Sequence, residues 1–454
     1  MTPLHTGLRP SAEVEADLSE RLPRLSRNEA FAEASDCLYC YDAPCMKACP
    51  TSIDIPGFIK LIATDDRLGA AQRILQQNVL GASCARVCAT EELCEEACVL
   101  TPGEGPILIG RLQRFATDLL MEEGLGIDVA GYVPGTPTGR SVAVVGGGPA
   151  GLAAAAGLRR AGHDVTIFDR QPNLGGLATY GIIPLREPTE VALWEAEQIR
   201  GLGVTTRTGV EVGVHVSQAE LLEQFDAVFL STGAGRRVWE IDLAGADASG
   251  VEDALEFIER IRVMQPANVP VGRNVVIVGA GNTAMDAATI AARLGADTVT
   301  CVYRRTQTEM TGYPNEYEHC LKDGVRFRWN TQPVRVLTDA EGAVLGLECA
   351  VVALGEPGLD GRRMPIVTEE LFTIPADHVL LATGQRREPS LFEGFGLIME
   401  RDGRPVVTDR FATSDARVYV GGDAVLTGKE LSVVDAVAQG RDAAIAIDRF
   451  LGRN

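Results

Sequence analysis

The chain has 454 residues, a formal net charge of −20 at pH 7 and 46% hydrophobic residues. That length suits about two to four domains, the apolar content excludes a disordered chain, and the acidic balance excludes nucleic acid, whose phosphates need a basic surface. The opening stretch has no apolar signal core and no segment approaches the roughly 18–20 apolar residues of a membrane span, so a soluble, cytoplasmic protein is expected.

Residues 1–138 read as a mostly helical domain rich in thiols. Eight of the eleven cysteines fall between Cys37 and Cys98. They form two runs, Cys37-x2-Cys40-x4-Cys45-x3-Cys49-Pro50 and Cys84-x3-Cys88-x5-Cys94-x3-Cys98. In a cytosol such a cluster points to a metal framework before disulfides. Thiolates are the preferred ligands of iron–sulfur clusters, and the terminal Cys-Pro is similar to the bacterial ferredoxin run, although the middle spacing is wider. Structural zinc, which takes pairs of Cys-x2–4-Cys, is the other reading. Cys301, Cys320 and Cys349 lie far off and read as small buried hydrophobes. Phe58, Ile62, Ala70 and Ile74 recur at near-helical spacing and predict helix over 58–76. GYVPGTPTGR, 131–140, reads as a linker.

From Ser141 the pattern is strand, Gly-rich turn, helix, strand. Gly146-x-Gly148-Pro149-Ala150-Gly151 is a dinucleotide fingerprint, and Asp169 ends the next strand where an acid would hold ribose hydroxyls. The glycines let backbone approach a pyrophosphate at the helix N-terminus. A packing turn without ligand is the bland alternative. Two later features favour FAD here. Gly176 and Leu177 lie in the loop GGLATYG, and Gly422-Asp423 precedes a helical stretch opening at Ser432, whose N-terminus would stabilise negative charge on a reduced flavin.

Near Arg273 the plan repeats. Gly279-x-Gly281-Asn282-Thr283-Ala284 carries Ala in the last place, and its second strand ends in Arg304-Arg305 instead of an acid. Guanidinium there suits a ribose 2′-phosphate, which favours NADP(H) over NAD(H). A solvated strand end is the alternative. Leu230-Ser231-Thr232-Gly233 and Leu381-Ala382-Thr383-Gly384 are matching strand-to-Gly turns, either crossovers between domains beside a cofactor or plain strand ends. No Cys-x-x-Cys pair lies inside either nucleotide domain, which argues against a dithiol reductase mechanism.

CLYCYDAPCMKACP, GASCARVC and GPILIGRLQRF together make the whole chain resemble the FAD/NADPH electron-input module shared by glutamate synthase small subunits and dihydropyrimidine dehydrogenases. The nearer likeness is to the stand-alone bacterial subunit of the latter. The resemblance implies one [4Fe–4S] cluster on Cys37, Cys40, Cys45 and Cys98, and a second on Cys49, Cys88, Cys94 and Gln113. Cys84 would be a neighbour, though it competes with Gln113 for the fourth position. Without the resemblance Gln113 reads as an exposed helix residue. It also implies Arg186 near the flavin. Asp169 stands where Glu is usual, Asn282 where Asp is common, and Thr311 where the mammalian-type dehydrogenase has a basic residue.

The expected fold is therefore α/β: two Rossmann-like domains, the second inserted in the first, preceded by an α-helical iron–sulfur domain. Boundaries are expected at 1–138 (iron–sulfur), 139–255 and 389–454 (FAD), and 256–388 (NADP). The resemblance further implies an FMN-containing, ferredoxin-like partner subunit in a hetero-oligomer that reduces uracil or thymine. A glutamate synthase small subunit, another electron feeder, or a non-catalytic redox sensor are the alternatives.

Overall fold

The computed structural model describes residues 4–237, 243–358, 363–386, 389–425 and 431–452. The chain divides into two compact units. The larger comprises Leu22–Thr179, Arg186–Gly235 and Arg387–Asn454; the smaller comprises Met1–Arg21, Tyr180–Leu185 and Arg236–Arg386.

The larger unit begins with short helices that include Arg27–Ser35, Ile55–Ala63, Arg67–Leu75, Gly81–Val87 and Ile109–Glu122. The single helix expected over 58–76 is two helices. Asp65 takes a left-handed φ of 66°, and Asp54 and Asp66 each cap a new start by accepting from Gly57 N (3.0 Å) and Gly69 N (2.8 Å). Phe58, Ile59, Ile74, Leu75, Leu112 and Leu120 are buried in one core. Each such side chain contributes about 1.5–3 kcal/mol relative to exposure, far more than a surface ion pair.

Behind these helices in sequence lies a five-stranded parallel sheet in the order Val418–Val420, Ala227–Leu230, Ser141–Val145, Asp164–Asp169, Thr205–Thr208. Ser141–Val145 is buried along most of its length, as a strand covered on both faces must be. The helix Pro149–Arg160 packs against the helix Val433–Leu451 at close range: a Cβ on Gly440 would sit 2.0 Å from Ala150 O. The linker 131–140 is pinned, with Gly135 N donating to Arg159 O (2.9 Å) and Thr138 N to Gly162 O (3.0 Å).

The smaller unit holds a second parallel sheet, in the order Val251–Asp253, His378–Leu381, Asn274–Val278, Thr298–Val302, Arg326–Arg328. An antiparallel sheet of Thr331–Thr338, Val344–Pro357 and Arg363–Pro375 accompanies it. The N-terminal residues belong to this unit, not with the cysteine helices. His5 N donates to Val271 O (2.9 Å), Arg9 Nη1 to Arg293 O (2.8 Å), and Arg21 clasps Glu316 at 3.0 Å. Ile183 and Leu185 also enter its core. Besides its passages at Arg21/Leu22, Thr179/Tyr180 and Leu185/Arg186, the chain changes unit at Gly235/Arg236 and at Arg386/Arg387, soon after the two strand-to-Gly turns, the former ahead of the boundary expected at 255. The short strands Arg236–Arg237 and Gln385–Arg386 pair antiparallel there. Among the described residues no helix is long and apolar enough to cross a membrane.

Candidate functional site

In the larger unit, the turn after Val145 has the geometry a pyrophosphate needs. Gly146 adopts φ 99°, and a Cβ on Gly151 would lie 2.0 Å from Gly146 O, so strand end and helix start touch backbone to backbone. Gly148 is the N-cap of the helix holding Pro149, Ala150 and Gly151, and no side chain caps it. Its first-turn N–H groups are left for an anion, whereas Ser217 caps its own helix by accepting from Glu220 N. Gly147 N donates to Asp169 Oδ2 (2.6 Å) and Gln171 N to Oδ1 (2.8 Å). Burial raises the Asp169 carboxyl above its ordinary value, and these two donors pull it back. Gly176 lies against Gly148, with a would-be Cβ 2.8 Å from Gly148 Cα, and Leu177 opens a short helix. These residues fit FAD.

Further along, Gly422 and Asp423 form a 3-10 turn, with Gly422 N donating to Gln439 Oε1 (2.8 Å). Ser432 caps the helix Val433–Leu451 through Asp435 N (3.1 Å). Arg186 donates to Val87 O (3.3 Å), next to Cys88.

In the smaller unit, Gly279 has φ 141° and Gly281 caps the helix Asn282–Leu294 without a side-chain bond, so this turn also fits a dinucleotide. Thr283 follows in the first turn, and Ala284 is fully buried. Asn282 Oδ1 accepts from Tyr313 N (2.9 Å), which gives the residue a structural task. The arginine pair divides. Arg304 is exposed, while Arg305 is buried and its Nε donates to Arg363 O at 3.1 Å. Both lie in a bend past the strand Thr298–Val302, and of the two only Arg304 faces outward. The turns Leu230–Gly233 and Leu381–Gly384 back the two fingerprints. A Cβ on Gly146 would meet Ser231 O at 2.4 Å, and one on Gly279 would meet Ala382 O at 2.5 Å; Thr383 and Gly384 follow Ala382 in the loop.

None of the eleven cysteines forms a disulfide. Cys37, Cys40, Cys45 and Cys98 line one cavity walled by Ile55, Ile59, Ile107 and Ile109. Cys49, Cys84 and Cys94 crowd Cys88. Burial is the main cause pushing the Cys45 thiol up to about 11 and raising Cys94; neighbouring sulfurs add to it at Cys45, and the Glu95 carboxylate and then neighbouring sulfurs at Cys94; at Cys88 the bond to Cys84 comes first. Such thiols ionise only when a cation enters among them, which is what iron supplies. Among the described residues no three His, Cys, Asp or Glu side chains converge on a single metal ion. Gln113 is buried, against the exposed position its helix alone would give it, and its Nε2 donates to Gly81 O (2.8 Å), at the start of the helix Gly81–Val87 that carries Cys84. Cys301, Cys320 and Cys349 are buried as expected.

Sequence patterns missed a buried knot beside Cys84. Glu195 Oε1 accepts from Ala82 N (2.8 Å) and Ser83 N (3.2 Å), and Ser83 Oγ donates to Glu187 Oε1 (2.5 Å) and contacts Glu195 Oε2. Burial, then the neighbouring Glu187, raises the Glu195 carboxyl to about 8. A glutamate on an amphipathic helix carries no local signal of such burial.

Two doubly wound nucleotide units, one joined to a thiol-rich helical segment, define an oxidoreductase that takes two dinucleotides. The family described as pyridine nucleotide-disulphide oxidoreductase matches residues 140–440, and dihydropyrimidine dehydrogenase domain II, 4Fe-4S cluster, matches residues 15–125. Of the curated relatives, the putative oxidoreductase AegA of Escherichia coli is 36% identical over 94% of this chain, which spans 66% of AegA, just under two thirds. The glutamate synthase [NADPH] small chain of the same organism is 35% identical, covering 94% of this chain and 92% of that protein. Its NAD-dependent dihydropyrimidine dehydrogenase subunit PreT is 35% identical, covering 96% and 97%. The chain belongs to the pyridine nucleotide-disulphide oxidoreductase family, with the glutamate synthase small chains and PreT among its relatives. It is an NAD(P)H-dependent oxidoreductase, and FAD, NADP(H) and 4Fe–4S iron–sulfur chemistry are its cofactors.

Proposed function

We propose that this chain is the electron-input subunit of a dihydropyrimidine dehydrogenase. The bound cofactors would accept hydride from NADPH on FAD and release single electrons through two [4Fe–4S] clusters to an FMN-containing partner that reduces uracil or thymine to the 5,6-dihydro forms. The chain's own residues do the holding. The open helix starts at Gly148 and Gly281 bind the two pyrophosphates, Asp169 orients the FAD ribose, and Arg304 meets the 2′-phosphate. Cys37, Cys40, Cys45 and Cys98 hold one cluster. Cys49, Cys88 and Cys94 hold the other, with Gln113 ahead of Cys84 as the fourth ligand. Arg186 bridges the flavin segment to Val87. The assembly is a cytoplasmic hetero-oligomer, with FAD residues in two chain segments around an inserted NADP domain.

The observation that carries this reading is the grouping of thiols. Cys98 joins Cys37, Cys40 and Cys45 across about sixty residues of chain, and Cys49 joins the second run instead. Full-length correspondence to PreT favours the pyrimidine pathway. Near-equal correspondence to the glutamate synthase small chain favours a second reading, in which a large amidotransferase subunit is the acceptor. Anaerobic purification from the native source tests both. An FMN-containing partner and uracil-dependent NADPH oxidation are expected; a co-purifying amidotransferase would transfer the assignment. No NADPH-dependent dye reduction would refute the enzymatic role.

A further inference from the structure

Thr51 is fully buried, two residues after Cys49, and no motif uses it. Its Oγ1 lies 3.3 Å from Cys49 Sγ. Its carbonyl oxygen accepts from Arg441 Nη1 at 2.7 Å, and the same nitrogen reaches Gln77 O at 3.3 Å. Arg441 lies on the helix Val433–Leu451, which packs on the helix of the first nucleotide turn. The Cys49–Thr51 segment is thus held through its backbone by the flavin-side helix.

Either atom of the Cys49–Thr51 pair could donate between free thiol and hydroxyl. A thiolate bound to iron has no proton, so there only Thr51 can donate. Cys37 and Cys45 are met instead by backbone N–H groups, from Tyr39 and Met46. Reduction of a cluster adds negative charge that its sulfurs share, and a donor aimed at a ligand sulfur stabilises the reduced state.

We propose that Thr51 is a positioning residue whose hydroxyl hydrogen-bonds the Cys49 thiolate and raises the reduction potential of the second cluster. This rests on the assignment of Cys49 as a ligand of that cluster. Its effect is to make the cluster that Cys49 serves a readier acceptor than that cluster would be without the hydroxyl.

The test is an EPR-monitored redox titration of the anaerobically prepared holoenzyme as wild type, Thr51→Val and Thr51→Ser, with iron and sulfide analysis of each. Thr51→Val keeps the shape and loses the donor. It is expected to hold wild-type iron and leave the first cluster's signal in place. The reduced-to-oxidised ratio of the second cluster at a fixed poise should fall about fivefold, the factor an ordinary hydrogen bond carries. Thr51→Ser should retain the wild-type potential. An unmoved potential in Thr51→Val would overturn the inference, as would iron loss from Thr51→Val but not from Thr51→Ser, which marks a structural role. Wild-type enzyme without iron would overturn the ligand assignment beneath it.

Discussion

The two nucleotide turns follow one plan and differ in how tightly they close. In the first, the helix start presses on the strand end: a methyl at Gly151 would sit 2.0 Å from Gly146 O, and Asp169 takes the Gly147 N–H. In the second, Ala284 fits where Gly151 stands, and Asn282 ties the turn to Tyr313 while basic residues follow the strand Thr298–Val302. On the proposed assignment the first turn reads its ligand by backbone approach and an acid, the second with the help of the exposed Arg304. A further contrast lies in support. Within the larger unit the first nucleotide segment is locked to the cysteine helices through Glu195 and Ser83, and the smaller unit carries its own antiparallel sheet.

The strongest way to break this comparison is to exchange the third residues. Gly151→Ala should abolish FAD retention, because its Cβ would sit 2.0 Å from Gly146 O and the backbone cannot relieve that overlap without opening the turn. Released-flavin fluorescence measures it, and wild-type flavin content would refute the tight-turn account. Ala284→Gly should keep nucleotide binding and cost about 1 kcal/mol of helix stability.

Next in size is the division of the arginines. Arg304→Ala should raise KM for NADPH about ten- to a hundredfold, the worth of a charge-assisted hydrogen bond, and leave KM for NADH nearly unchanged. Arg305→Ala should lower Tm with little change in the NADPH-to-NADH preference, since its Nε is spent on Arg363 O. Equal kinetic losses in the two variants would contradict the division.

The smallest effect concerns the lock. Glu195 ionises near 4.5 when unfolded and near 8 when folded. Between those values the unfolded chain releases a proton that the native chain keeps, so stability falls as pH rises across the window and levels off above it. Glu195→Gln, which can still accept from Ala82 and Ser83 and donate to Ser83 Oγ, removes that slope. The Tm advantage of the variant over wild type should grow from pH 5 to 8; a constant difference would mean that Glu195 is ionised in the native fold.

Both nucleotide turns were legible in the sequence because their rules are local: a β-branched strand, glycines at fixed offsets and a helix start leave little conformational choice. The long C-terminal helix opening at Ser432 was legible for the same reason, its cap and apolar face being contiguous. The break at Asp65 was not, since apolar spacing continues through it and only the cap chemistry of Asp66 stops the helix. The first twenty-one residues looked like part of the cysteine segment because they adjoin it, yet Arg9, Arg21 and their partners fasten them to the smaller unit.

The sequence by itself determined the redox chemistry, since glycine spacing and closely set thiols are short-range features that few other structures tolerate. Only the tertiary structure decided that Gln113 is buried, that Arg304 and not Arg305 faces out and that Thr51 reaches Cys49; it also brings Cys98 into the cavity of Cys37, Cys40 and Cys45, a grouping that the family resemblance implied and spacing alone did not. Those outcomes depend on which helix faces pack together, and packing is set by the whole apolar core and not by any one segment of chain.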